Sequence, residues 1–116
     1  MGDEAQRAEQ RYRALVEQME TRSGVTHGAE PGSRGRFGSN GLKVGGKLFA
    51  MLSHNSLVLK LPRQRVDALV DSGDGVRFDP RHDGRVMKEW LVLVPDSDQD
   101  WESLATEAMA FVSSRV

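Results

Sequence analysis

The segment LKVGGKLFAMLSHNSLVLKLP, residues 42–62, constrains the fold more than any other. Gly45-Gly46 supplies the positive φ angles of a tight reversal, and Asn40-Gly41 just before it is a second turn dipeptide. Leu48 to Leu52 is apolar on both faces, as a strand in the middle of a sheet is. SHNS, residues 53–56, is a four-residue connection. Leu57, Leu59 and Leu61 then alternate with Val58 and Lys60 until Pro62 stops the strand. Connections this short join only antiparallel neighbours, because a parallel pair needs a crossover of a dozen residues or more. Residues 36–61 therefore read as three strands of an antiparallel sheet.

The same segment comes close to a phosphate-binding loop. Gly41, Gly46 and Lys47 fit G-x-x-x-x-G-K, but Leu48 stands where a hydroxyl would ligate magnesium. The residues after Lys47 have strand character, whereas a phosphate cradle needs the N-terminus of a helix. The reading is a hairpin.

The flanks are helical. Residues 4–22 repeat apolar side chains at Ala5, Ala8, Tyr12, Leu15, Val16 and Met19, with Asp3 before them and Gly24 after. Residues 23–35 hold four glycines and a proline and read as a loop. Pro62 opens a helix over 62–72, with Val66, Leu69 and Val70 on one stripe and Gly73 at its end. Strands follow at 75–79, where Val76 and Phe78 share a face, and at 87–94. A last helix, 98–114, begins at the S-x-x-D pair Ser97 and Asp100 and carries Trp101, Leu104, Ala105, Ala108, Phe111 and Val112. The chain reads as one α+β domain over 1–116, in the order α-β(3)-α-β(2)-α, with helices packed on an antiparallel sheet.

Chemistry is less legible. No cysteine is present, which excludes disulfides, thiolate metal sites and cysteine nucleophiles. His27, His54 and His82 have no helical spacing and all fall in expected turns, so no metal set is read. Ser53 beside His54 is not read as nucleophile and base, because adjacent side chains on extended backbone point apart. Asp71, Asp74, Asp79 and Asp83 are explained by turn chemistry. No catalytic residue and no cofactor is expected. No apolar run approaches the ~18 residues of a membrane span, and the charged N-terminus lacks a signal core. The expectation is a cytoplasmic protein with no membrane partner.

Net charge of −1 conceals an uneven distribution. Residues 31–95 carry eleven basic against six acidic side chains, while the segments before and after are acidic. A basic middle either meets an anion or is neutralised by the acidic helices. Trp90, on a strand apolar on both faces near its end, is either core or a contact for a subunit or partner. Candidate interaction residues are Arg36, Phe37, Lys43, Lys47, Lys88 and Trp90.

RFGSNGLKVGGKLFAML at 36–52, LVLKLP at 57–62 and MKEWLVL at 87–93 resemble the TfoX N-terminal-domain family, within the wider YjbR-like group. The matching pieces are Phe37-Gly38, Leu42 to Val44, Gly46-Lys47 and Phe49-Ala50; Ser39 replaces the second glycine of the family's FGG segment. The similarity runs from residue 36 to the C-terminus and is greatest to small single-domain members. It implies a secretion-chaperone-like α-β(3)-α-β(2)-α fold and no catalytic residues. The functional expectation is a non-enzymatic interaction or regulatory domain whose partner is a protein, self or other. The alternative is an accessory protein that binds nucleic acid through the basic segment 31–95.

Overall fold

The computed structural model describes residues 2–27, 41–79, 84, 86–94 and 97–114. Three helices, α1 (Gly2–Glu20), α2 (Arg63–Asp71) and α3 (Trp101–Ser114), pack on a six-stranded antiparallel sheet. The strands are β1 (Val25–His27), β2 (Leu42–Val44), β3 (Lys47–Ser53), β4 (Ser56–Lys60), β5 (Gly75–Phe78) and β6 (Met87–Leu93), in the spatial order β1-β2-β3-β4-β6-β5. The α+β class and the succession of helices and strands match the sequence reading. One strand differs. β1 lies inside the segment expected to be a loop, where Val25 pairs with Val44 and is buried. Its three residues hold one apolar side chain, too few to register as a period.

Register shows which face the helices cover, since residues directly opposite in neighbouring strands share a face. One row crosses the whole sheet: His27, Leu42, Ala50, Leu59, Leu91 and Arg77. Its ends meet helices. The His27 ring lies edge-on to Tyr12 of α1 at 6.2 Å, and Arg77 donates to Asp67 of α2 at 2.6 Å. This face and the apolar stripes of the three helices form the main core. A second row, Met51, Val58, Val92 and Val76, looks the opposite way. There Met51, Val58, Phe78 and Trp90 form a smaller buried cluster, with Leu48 and Val92 against it.

A bulge lets β3 serve both cores. Leu42 is opposite Ala50 but Lys43 is opposite Leu48, so Phe49 is the extra residue. Phe49 and Ala50 both join the main core, while Leu48 and Met51 belong to the smaller one.

Gly45 and Gly46 have φ of 57° and 79° and sit between the paired residues Val44 and Lys47. This is the two-residue reversal that the sequence implied. The next hairpin is tighter than the expected four-residue connection. Ser53 pairs with Ser56, leaving His54 and Asn55 in the turn at φ of 49° and 65°. Glycine takes such angles at no steric cost, and Asn-Gly is the favoured pair where both turn residues have positive φ. Replacing the pair by Asn-Gly (His54→Asn with Asn55→Gly) relieves left-handed strain by more than the added glycine entropy offsets, and is expected to raise stability by about 0.5–1 kcal/mol. The gain will be read as a higher urea midpoint with an unchanged slope; a lower midpoint refutes it.

Gly73, at φ 84°, ends α2 as expected. Its N–H donates to the Val70 carbonyl, and the Asp74 N–H donates to the Leu69 carbonyl. The start of α3 corrects the sequence reading. Asp100 caps the helix through the Ser103 N–H at 3.0 Å, while the Ser97 hydroxyl accepts from the Gln99 N–H and donates to Asp74. Ser97 therefore ties the loop to Asp74 instead of capping the helix.

Asp74 joins the α2–β5 turn to the segment before α3. Its carboxylate accepts from Ser72 at 2.5 Å, Ser97 at 2.9 Å and Gln99 at 3.4 Å. The Ser72 and Ser97 hydroxyls hold its pKa below the ordinary carboxylate value. A depressed carboxylate pKa contributes stability above the unfolded-state value and loses it as pH falls through the folded-state value. The deficit of Asp74→Ala relative to the parent, read from thermal melts, is thus expected at neutral pH and to shrink in acid. A deficit that does not change with pH refutes the linkage.

Candidate functional site

The most distinctive surface lies where β4, β6 and the start of α2 meet. Lys60, at the end of β4, is directly opposite Trp90 on β6. Its ammonium stands 5.6 Å from the centre of the Trp90 ring. Trp90 itself is 7% exposed and packs into the smaller core. Its burial places it in the core, one of the two readings left open by the sequence. The exposed apolar groups nearby are instead Val86, at 42%, and Met87, at 37%.

The backbone here is irregular. Arg77 of β5 is opposite Leu91, but the next residue, Phe78, is opposite Met87. Lys88, Glu89 and Trp90 thus have no counterpart on β5. Bulges of this kind redirect side chains and are frequent beside functional sites.

Two clefts, each of about 480 Å³, adjoin at Lys60 and Trp90. One is lined by Lys47, Leu48, Lys60, Trp90 and Val112. The other is lined by Lys60, Arg63, Lys88, Glu89 and Trp90, with Val86 and Met87 on its wall. Both are open to solvent, the second more than the first, and so are depressions of the surface and not enclosed cavities. Among the described residues the two clefts gather four cations and a single carboxylate, Glu89. Glu89 holds Lys60 only loosely, at 3.9 Å. A cleft lined mainly by one sign of charge focuses its field on an incoming ion.

Other basic residues of the middle segment are spent within the fold. Arg65 forms a two-pronged pair with Glu107 of α3, at 3.0 and 3.3 Å, and Arg77 is held by Asp67. Internal neutralisation by an acidic helix, one of the two alternatives read from the sequence, is thus seen at Arg65, whereas Lys47, Lys60, Arg63 and Lys88 line the clefts.

Neither a family model, nor a curated protein, nor a solved structure matches the chain.

Of the candidate interaction residues, Lys47, Lys88 and Trp90 line these clefts. Lys43 lies one strand away, opposite Leu48. Arg36 and Phe37 fall outside the described residues. Lys60 and Arg63 are among the eleven basic residues of 31–95 that the sequence offers for a patch, whereas Glu89, Val86 and Met87 are not singled out by it. That Lys60 meets Trp90 is seen only from the pairing of β4 with β6, which are not consecutive in the chain.

The Ser53–His54 pair also differs from expectation. Ser53 Oγ and His54 Nδ1 are 3.1 Å apart, because His54 is in the left-handed region and not extended. The contact is exposed at a hairpin tip. Among the described residues no group of three or more His, Asp or Glu side chains is placed to hold a metal ion, and no helix is long and apolar enough to cross a membrane.

Proposed function

We propose that the chain is a non-enzymatic interaction domain of the cytoplasm, in keeping with its resemblance to the TfoX N-terminal domain, and that it binds an anionic partner in the cleft around Lys60 and Trp90. The observation that carries this reading is the convergence of Lys47, Lys60, Arg63 and Lys88 on two adjoining clefts. These residues come from β3, β4, the start of α2 and β6, so the fold and not the local sequence assembles them.

Protein is the favoured partner class, self or other. Nucleic acid is the second reading, and the basic character of the cleft is the observation that favours it. Both are tested by measuring binding of polyglutamate and of single-stranded DNA at about 50 mM and about 200 mM salt. The parent is expected to bind at least one polyanion at low salt. The double variant Arg63→Glu with Lys88→Glu, shown to be folded by circular dichroism, is expected to lose about tenfold or more in affinity. Failure of both polyanions to bind overturns the proposal.

A further inference from the structure

We infer that the Lys60–Trp90 cleft takes an extended acidic polypeptide segment that also carries an apolar side chain. Its carboxylates meet Lys60, Arg63 and Lys88, and its apolar group lies against Val86 and Met87. This inference rests on the anionic-partner reading above and goes further by naming the chemistry of the partner.

Three observations favour a polypeptide over nucleic acid. Sequence-tolerant binding of single strands relies on aromatic faces on which bases stack. Trp90 offers little face for this, being 7% exposed with the Lys60 ammonium above its ring. The cleft, moreover, already accommodates a carboxylate. Glu89 lines it and holds Lys60 at 3.9 Å, a solvent-accessible pair of small net value that an incoming carboxylate displaces at little cost. Lastly, Val86 and Met87 are exposed in the wall of the same cleft as Arg63 and Lys88. A phosphate backbone makes no use of them. An apolar side chain does, and the unbranched thioether of methionine adapts to its shape.

The occupant is extended because the clefts adjoin and share Lys60 and Trp90, with Lys47 in one and Lys88 in the other. A chain of about ten residues spans roughly 33 Å when extended, enough to run through both on a molecule 37 × 36 × 28 Å across.

The test is fluorescence anisotropy with three labelled probes of about that length. One is a peptide of glutamates interspersed with leucines, the second has serine in place of each leucine, and the third is single-stranded thymidylate of equal charge. The glutamate–leucine peptide is expected to bind about tenfold or more tightly than the serine version and more tightly than the DNA. The double variant Val86→Ser with Met87→Ser should erase the preference for leucine and leave the serine peptide unchanged. Arg63→Glu with Lys88→Glu should weaken both peptides. Both variants change exposed positions, and thermal melts will establish that they remain folded. Tighter binding of DNA than of either peptide overturns the inference while the anionic-partner reading stands. Equal affinity for the two peptides overturns it too. If none of the three probes binds, both fall together.

Discussion

Phe49→Ala is expected to cost about 3–5 kcal/mol, the range for removing a large aromatic side chain from a closed core. Phe49 is fully buried, yet the alternation of β3 would turn it away from the helices if the strand were regular. The bulge opposite Leu42 and Lys43 brings it round to the helix side beside Ala50. Truncation thus leaves a ring-sized void in a core closed by α3, which packs on β2, β3 and β4. Small domains are stable by only about 5–15 kcal/mol, so the melting temperature should fall by about 10 °C or more. Urea unfolding followed by circular dichroism measures the loss. Phe49→Leu, which keeps much of the volume, should recover more than half of it. A loss below about 1.5 kcal/mol for the alanine variant would show that the ring is not enclosed, and that the bulge does not deliver it to the main core.

Phe49 marks the point where sequence reasoning reaches its limit. The run Leu48 to Leu52 announces a strand apolar on both faces, and both faces are indeed used. Which side chain goes to which face depends on one inserted residue, and no local pattern encodes that. Strict alternation places Phe49 with Met51. Edge strands give similar trouble. Alternation groups Val76 with Phe78, and Phe78 does join the smaller cluster on the side of Val76's row, but alternation does not say that Val76 is 52% exposed on this edge strand while Phe78 is buried. Helices are easier to read. Tyr12, Leu15, Val16 and Met19 of α1 are all buried, as are Leu104, Ala105, Ala108 and Val112 of α3. Their period of 3.6 is a property of a single segment and needs no knowledge of its neighbours.

The candidate site is legible only in fragments for the same reason. Charge counting locates an excess of basic residues between 31 and 95 but not which of them converge. Arg65 and Arg77 look like Arg63 in the sequence, yet both are paired across to acidic residues of helices. The distinction is made by topology. β6 inserts between β4 and β5, which sets Trp90 against Lys60 and brings Lys88 near the first residue of α2.

β5 lies close against β6 at Gly75, and Gly75→Ala is expected to be the second most damaging change. The glycine faces Leu93 in the ladder, at the end of β5 remote from the slip. A Cβ there would stand 2.6 Å from Leu91 Cδ1 and 2.9 Å from the carbonyl oxygen of Val92. The leucine tip has nowhere to turn, since Leu91 is fully buried, and the oxygen belongs to the backbone of β6. The clash is one of space and not of backbone conformation, for Gly75 is not among the glycines at positive φ. Overpacking of this kind costs about 1–3 kcal/mol. β5 is also an edge strand, so the least costly relief is for it to lift away from β6, and amide exchange at Val76 should then quicken more than exchange at Val58 or Leu59. A double-mutant cycle with Leu91→Val separates the two obstacles. If the leucine tip is the main one, the smaller side chain restores part of the loss. If the Val92 carbonyl is, the cycle shows no coupling and β5 still lifts. Stability equal to that of the parent would mean that β5 accepts a Cβ in place.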